Sequence, residues 1–303
     1  MAFQWPMFVA AFGGGLFGAA IGGLPAFILT GVVALIGIAI VVAGGSFDFL
    51  GLVALGPIFG PHISFAGGAA AAAYAARRGE LDDGKDIITP LAGLATPDVL
   101  LVGGLFGAGG YALQVPLTNL LLGYTDVIAL IVVLSDVLAR LLFGRTGLFG
   151  TVTDDSHEGG RFTPGGGQVW IAYQQDWLQS AVLGLGSGLF SAWIALRLVE
   201  ANPGFETAAF LVGWAISAAS LAFLAFGLSC PVTHHMTIVA AYAAVVTGSV
   251  LVGAVFGVVA ALLGEASSRL FLIHGDSHID PPANAIWIGA TIVFVGATLL
   301  GVG

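Results

Sequence analysis

The sequence predicts an all-α integral membrane protein that crosses a lipid bilayer many times. Hydrophobic residues make up 58% of its 303 residues, whereas charged residues make up only 8%. A soluble domain usually carries about 25% charged residues, so this composition cannot cover a water-exposed surface. The mean hydropathy of +1.02 points the same way.

Apolar runs fill most of the chain. One crossing of a bilayer core about 30 Å thick takes about 20 apolar residues, so we expect roughly eight to ten membrane segments, some of them broken or re-entrant. The first run is long enough for two passes and divides near Pro25. The runs cover residues 5–46, 49–76, 99–123, 127–139, 178–196, 208–231, 236–264 and 283–303.

The chain also contains an internal similarity, in which short motifs recur in the same order. The alternative is that Gly- and Ala-rich helices resemble each other by chance, but the shared order favours a duplication. We expect a first repeat over residues 1–150, a polar Gly-rich linker over 151–175 and a second repeat over 176–303. The matched positions are Gly15 with Gly188, Pro61 with Pro231, Tyr74 with Tyr242, Gly103 with Gly253, and Asp126 with Asp276.

The basic residues predict how the repeats are oriented. Arg77, Arg78 and Lys85 cluster in one loop, which the positive-inside rule places in the cytoplasm. The matching turn at residues 245–249 has no charge, as expected if the repeats are inverted. We expect a multi-pass protein of a prokaryotic cytoplasmic membrane. The net charge of −9 and the acidic loops are also compatible with a halophile.

Both repeats contain a break rich in glycine, proline and polar residues inside an apolar run. Such breaks end one helix and begin another within the membrane, where the new N-terminus attracts anions. The alternative is two kinked helices whose Ser, Thr and His side chains cap their own backbone. The functional hypothesis is a substrate site formed by Gly60, Pro61, His62 and Ser64 of the first break with Cys230, Pro231, Thr233, His234 and His235 of the second.

Ionisable residues near the last helix of each repeat form a second group. Asp126 and Asp276 are expected to couple protons or Na⁺, because charges inside membranes usually serve function. The spacing of Asp136 with Arg140, and of Glu265 with Arg269, favours ion pairs along one helix face. Residues 274–282 alternate His and Asp, which could bind a metal, but the two prolines at their end favour an extended polar loop.

Several classes of protein are excluded or disfavoured. The acidic net charge and the single lysine argue against a nucleic-acid partner. Cys230 is the only cysteine, too few for a disulfide or a Cys-based zinc site. The chain has no catalytic constellation and no phosphate-binding loop, so we expect neither an enzyme nor a cofactor. Small-residue helix faces permit homo-oligomers.

The first half resembles the opening repeat of the large membrane subunit of tripartite tricarboxylate transporters. The resemblance covers residues 13–107 and rests on three motifs: Gly18-x-x-x-Gly22-Gly-Leu-Pro25, Ala72-Ala-Tyr-Ala-Ala-Arg77-Arg78-Gly79-Glu80, and Val102-Gly-Gly-Leu-Phe-Gly107. It implies a carboxylate carrier assisted by a solute-binding protein and a small membrane subunit. The chain departs from that pattern in being much shorter and in following Pro25 with Ala26 and Phe27.

The sequence therefore predicts a secondary transporter, a permease or symporter that moves a small polar solute by alternating access. An anion or carboxylate is favoured, because helix N-termini at the breaks would face the solute. One alternative is a channel of the same architecture, and another is a non-transporting membrane subunit of a larger complex.

Overall fold

The all-α prediction is confirmed. The computed structural model describes residues 1–152, 160–165 and 168–302, and these form α-helices, short 3₁₀ and π turns and no β-strand. The α-helices are α1 (Trp5–Ile21), α2 (Gly23–Val42), α3 (Ser64–Arg78), α4 (Pro97–Leu121), α5 (Val127–Phe143), α6 (Trp177–Ala201), α7 (Glu206–Ser220), α8 (His234–Thr247), α9 (Val250–Ser267) and α10 (Pro281–Leu300).

Six helical segments of the described chain are long and apolar enough to cross a membrane. They comprise α2, α4, α6, α10, the α7 segment extended to Pro203–Phe226, and the α9 segment extended to Val250–Leu272. Helices α1 and α8 are apolar but shorter. These helices are compatible with a multi-pass membrane protein.

The two halves pair their helices in the same way. In the first half α1 packs on α3 and α4, and α5 packs on α3 and α4. In the second half α6 packs on α8 and α9, and α10 packs on α8 and α9. Between the halves, α2 packs on α7 and α5 packs on α10. The division of the chain near residue 150 therefore separates two groups of five helices with matching partners.

Glycines permit α1 to approach α4 closely, and α6 to approach α9. A Cβ on Gly15 in α1 would lie 2.8 Å from the Cα of Gly107 in α4, so the helix backbones touch there. Gly188 in α6 meets Ala254 and Gly257 of α9 in the same manner. Small residues of this kind let membrane helices associate through van der Waals contact.

Both halves contain the expected helix break. A π turn at Leu50–Ala54 and an irregular stretch precede α3, while a 3₁₀ turn at Leu221–Phe226 and an extended stretch precede α8. The proline of each break cannot donate a backbone hydrogen bond, which explains why the helix does not continue through it. Helices α3 and α8 are consequently short, with 15 and 14 residues.

One end of the helix bundle collects the basic residues and is called here the basic end. Arg145 donates to the Arg77 carbonyl, Arg140 lies 3.7 Å from Asp276, and Gly84 contacts the Asp276 backbone. Arg78, Lys85, Arg161 and Arg269 lie in segments joined to these residues. The remaining basic residue, Arg197, is on α6 towards its C-terminus and pairs with Glu200.

The described part of the predicted linker is not a free connection. Thr151 donates a backbone hydrogen bond to the His274 carbonyl. The Gln174 side chain exchanges two hydrogen bonds with the backbone of Val232, at 2.9 and 3.0 Å. Residues 153–159 and 166–167 of the linker lie outside the described residues. The described linker therefore packs against the second half at the basic end.

Candidate functional site

A cavity of about 1130 Å³ lies between the two halves of the described chain. Helices α2, α3, α4 and α5 of the first half and α7, α8 and α10 of the second half contribute to its wall. Its lining extends from Lys85 at the basic end to Glu206, which begins α7. The cavity is large for a small-molecule site, since such sites usually enclose about 300–1000 Å³.

Aromatic rings form much of the cavity wall. The Phe27 ring packs edge-on against Trp214 at 5.5 Å and lies 4.6 Å from the His234 ring. The Tyr242 ring contacts Phe210 at 4.9 Å and Phe294 at 5.0 Å. These rings present both apolar surface and electron-rich faces to whatever occupies the cavity.

Asp126 is the polar group that α5 brings to the cavity. Its Oδ1 accepts the Ala129 N–H at 2.8 Å, so it caps the N-terminus of the helix. Its Oδ2 accepts the Tyr242 hydroxyl at 2.7 Å, which joins the first half to α8. The carboxylate therefore has a defined position between the halves.

Asp280 occupies the matching position at the start of α10. Its Oδ2 accepts the Ala283 N–H at 2.7 Å, and its Oδ1 lies 3.1 Å from Nε2 of His278. Both Asp280 and His278 line the cavity. The buried carboxylate of Asp136 accepts the Asp280 backbone N–H at 2.9 Å from behind.

Only two of the expected break residues reach the cavity. Pro61 and His234 line it, and Nδ1 of His234 has no hydrogen-bond partner among the described residues. Gly60 is buried and its carbonyl accepts the N–H groups of Ile63 and Ser64. The break before α3 thus closes on itself instead of pointing free donors into the cavity.

His62 and His235 are completely buried behind the cavity wall, at 0% exposure. His62 packs on α4, where its side chain interacts with Gln114, yet neither ring nitrogen makes a hydrogen bond of ordinary geometry. His235 packs on Gly264 of α9 and near Trp170, and its ring nitrogens also lack partners within the described chain. Each ring therefore packs against a helix of its own half, α4 for His62 and α9 for His235.

The remaining break residues form local hydrogen bonds. Ser64 donates to the Phe59 carbonyl at 3.2 Å, and Thr233 donates to the Ser217 hydroxyl at 3.1 Å. The Cys230 thiol donates to the Ser220 carbonyl. Pro231 and these three residues lie outside the cavity lining.

Asp276 does not correspond to Asp126. It lies outside the cavity at the basic end, where it accepts hydrogen bonds from the Arg145 N–H and the Thr146 hydroxyl. The sequence match failed because residues 274–280 contain two aspartates, and Asp280, four positions later, caps α10. The structure therefore places Asp126 and Asp280, each the N-cap of the last helix of its half, in the lining of the cavity.

The two expected ion pairs have different outcomes. Glu265 and Arg269 pair at 2.8 Å, as predicted. Asp136 and Arg140 do not form an ion pair within 4 Å. The Arg140 guanidinium instead donates to the hydroxyl and carbonyl of Ser277 and to the Phe271 carbonyl.

Tyr173, in the described part of the linker, also lines the cavity. Its hydroxyl donates to the Cys230 carbonyl at 2.6 Å. Burial, with a smaller contribution from the nearby Cys230, raises the pKa of this hydroxyl above its ordinary value. Tyr173 therefore remains neutral at physiological pH and acts as a hydrogen-bond donor.

No metal centre occurs among the described residues, because no group of three or more His, Cys, Asp or Glu is arranged to hold an ion. The loop at residues 274–280 was a candidate. There the His274 ring bonds to the Arg161 carbonyl and to Gln168, while His278 is directed to Asp280.

A single family matches both halves, over residues 1–166 and residues 151–302. The chain belongs to DUF7973, a family of unknown function. The two matched stretches overlap at residues 151–166, within the predicted linker. Neither the curated proteins nor the solved structures contain a significant match.

Sequence reasoning did not name Asp280, His278 or Tyr242 as site residues, although all three line the cavity. The sequence did carry a signal for Asp280, because an Asp before two prolines and an apolar run is typical of an N-cap. Tyr242 carried no such signal, since its partner Asp126 is 116 positions away in the chain.

Proposed function

We propose that the protein is a secondary transporter that moves a small polar solute across the cytoplasmic membrane by alternating access. The observation that carries the proposal is the cavity between two groups of five helices with matching partners. Binding sites at the interface of two repeats, close to broken helices, are typical of secondary transporters. The two breaks contribute Pro61 and His234 to this cavity.

An odd number of helices in each half supports inverted repeats. If each half contributes five crossings, with α3 and α8 counted as crossings together with the breaks before them, the second half must begin on the opposite side from the first. The proposal therefore comprises ten membrane segments in two inverted repeats. All basic residues except Arg197 gather at one end, so the positive-inside rule places that end in the cytoplasm.

The charges of the lining favour a solute with a cationic group. Four carboxylates, those of Asp83, Asp126, Glu206 and Asp280, line the cavity with a single basic residue, Lys85. The aromatic rings add cation–π attraction, which strengthens where water is excluded. A small organic cation therefore fits this lining better than the anion that the helix breaks alone would favour.

A carboxylate solute is the second candidate, supported by the start of α8. This helix begins without a side-chain N-cap, and His234 in its first turn lines the cavity with an unpartnered Nδ1. Backbone N–H groups at such a helix end attract anions. The resemblance of residues 13–107 to tripartite tricarboxylate transporter subunits also favours a carboxylate.

Uptake by proteoliposomes tests the proposal. Radiolabelled tetraethylammonium and choline serve as cationic probes, and citrate and sulfate serve as anionic probes. Saturable uptake of a cation that falls at least about tenfold in Asp126→Asn would support the favoured form. Saturable uptake of citrate that depends on His234 would support the second candidate. Flux without saturation would indicate a channel, and no flux of any probe would contradict transport.

Accessibility of introduced cysteines tests the inverted arrangement separately. Asp82 follows α3 and Thr247 ends α8, and both residues are exposed. In a Cys230→Ser background, a membrane-impermeant maleimide should label Asp82→Cys and Thr247→Cys from opposite sides of the membrane. Labelling of both from the same side would exclude inverted repeats.

A further inference from the structure

We propose that Asp136, Asp280 and His278 form a proton-binding site that couples proton movement to solute transport. The inference rests on the proposed transport function, which it deepens by naming the coupling ion and its residues. Three observations carry it: an unpartnered buried carboxylate oxygen, a second carboxyl group beside it and a connection to the cavity.

Asp136 is the buried member of the site. The residue is in α5 and is only 1% exposed. Its Oδ2 accepts the backbone N–H of Asp280 at 2.9 Å. Its Oδ1 is buried and has no hydrogen-bond partner among the described residues. An ionised carboxylate held in this way lacks compensation, so binding a proton is favourable.

The surroundings do not neutralise Asp136 with an ion pair. Arg140 lies one turn away on the same helix, but its guanidinium is directed to the backbone and hydroxyl of Ser277 and towards Asp276. Asp280 adds a second negative charge at close range, which disfavours two ionised carboxylates. Proton binding by Asp136 therefore relieves the repulsion between the two carboxylates.

The other elements packed on α5 contribute few ionisable groups. From α3, Tyr74 contacts Phe143 at the end of α5. From α4, Phe106 packs on the same ring. From α10, the neighbour is Asn284, whose side chain donates to the Asp280 carbonyl at 2.9 Å. Asp280 and Arg140 are thus the charged groups nearest Asp136, with His278 beside Asp280 and Asp276 beyond Arg140.

Asp136 lies directly behind the cavity lining. His278 and Asp280 line the cavity, and their side chains lie 3.1 Å apart. The Asp280 backbone then contacts Asp136 directly. A hydronium ion in the cavity transfers its proton to a carboxylate oxygen: one O–H bond of hydronium breaks, one O–H bond of the carboxyl group forms, and one negative charge is neutralised. The reverse step returns the proton to water. Because Asp280 also caps α10, the charge of the pair acts on the start of a helix that lines the cavity.

Infrared spectroscopy of the purified full-length protein tests proton binding without any solute. We expect a protonated-carboxyl band that disappears as the pH is raised and is absent in Asp136→Asn. Asp276→Asn, four residues before Asp280 and outside the cavity, should retain the band. An unchanged band in Asp136→Asn would overturn the inference, as would a band that added Na⁺ removes at constant pH, since Na⁺ would then be the coupling ion.

Asp280→Asn keeps the test decisive if Asp136→Asn does not fold. Asparagine caps helices about as well as aspartate, so the start of α10 is preserved. Without the second negative charge, the band should disappear at a lower pH than in the parent protein. An unchanged titration would show that Asp136 and Asp280 do not share the site.

Uptake of tetraethylammonium into proteoliposomes separates this inference from the proposed function. With an imposed pH gradient, Asp136→Asn should lose accumulation at least about tenfold and retain exchange of internal for external tetraethylammonium. Asp276→Asn should accumulate normally. Accumulation by Asp136→Asn equal to that of the parent protein would overturn coupling alone. A protein that titrates at Asp136 but carries none of the four probes would overturn the proposed transport and, with it, the coupling.

Discussion

The two halves of the molecule share a scaffold but differ in the polar groups attached to it. Helix pairing is the same in both, and an aspartate caps the last helix of each, Asp126 on α5 and Asp280 on α10. The partners of these aspartates differ. Asp126 accepts a hydroxyl from Tyr242, whereas Asp280 lies between His278 and the buried Asp136.

This difference indicates which features belong to architecture and which to chemistry. Small-residue contacts recur because close helix packing requires them in both halves. The unpartnered carboxylate oxygen occurs beside Asp280, where the second half meets α5, whereas both oxygens of Asp126 are bonded. Chemistry at the cavity is therefore asymmetric even though the scaffold is not.

The largest expected effect comes from comparing the loss of the buried Arg140 in the first half with the loss of the exposed Arg197. Arg140→Leu removes the donors for the Ser277 and Phe271 carbonyls and should lower the free energy of unfolding by about 3 kcal/mol. Arg197→Leu, at an exposed pair with Glu200, should cost less than about 1 kcal/mol. Unfolding by dodecyl sulfate in mixed micelles measures both. Equal effects would mean that the Arg140 contacts do not hold the two halves together.

Alanine at corresponding glycines tests whether the two halves are packed equally tightly. Gly15→Ala places a methyl group against the α4 backbone and should cost about 2 kcal/mol. Gly188→Ala meets its nearest atoms at 3.2 Å and should cost less than about 1 kcal/mol. Gly13→Ala, on the same helix as Gly15 but with no atom within 4 Å, is the control and should not destabilise. The same unfolding titration ranks the three variants, and a larger cost at Gly188 would reverse the comparison.

Removing one hydroxyl tests the side-chain hydrogen bond that Asp126 makes to the opposite half. Tyr242→Phe leaves Oδ2 of Asp126 without its donor and should cost about 1–2 kcal/mol. Tyr74→Phe is the matched control, because its hydroxyl donates to Asp98 near the exposed Arg78. Its cost should stay below about 0.5 kcal/mol. Comparable thermal stabilities of the two variants in detergent would contradict the role of the Tyr242 hydroxyl.

The smallest effect concerns the loop after α3 and depends on pH. Burial of the Asp86 carboxyl opposes its ionisation, but hydrogen bonds from Thr89 and Ile88 outweigh this and lower its pKa below the ordinary 3.8. The unfolded loop therefore takes up a proton first. Stability from Asp86 is present above the ordinary pKa and is lost as the pH falls through the lower folded value.

Hydrogen exchange at the Leu24 N–H provides the measurement, because this group donates to the Ile87 carbonyl of the same loop. Protection at Leu24 should fall as the pH drops below the ordinary carboxyl value, beyond the change in intrinsic exchange rate. Asp86→Asn should show weaker protection at neutral pH and little further loss on acidification. An identical pH dependence in the variant would exclude Asp86 as the cause.

Much of the fold could be predicted from composition and motif order. Apolar runs predicted helices, and the prolines at positions 61 and 231 predicted where the helices break, because proline acts through its own backbone. The Glu265–Arg269 pair could also be predicted, since both residues are on one turn of helix. Asp136 and Arg140 have the same spacing but did not pair, because Ser277 offers the guanidinium a hydroxyl and a carbonyl from another part of the chain.

The sequence by itself determined that this chain is all-helical and has helices apolar enough to cross a membrane, and its recurring motifs predicted two similar halves. Those properties follow from local composition and spacing. Only the tertiary structure decided that Asp280, and not Asp276, lines the cavity as Asp126 does. It also decided that Asp136 lies behind Asp280. The contact between Asp136 and Asp280 spans 144 positions of sequence. Local patterns could not specify it, because it arises only when α5 and α10 pack together.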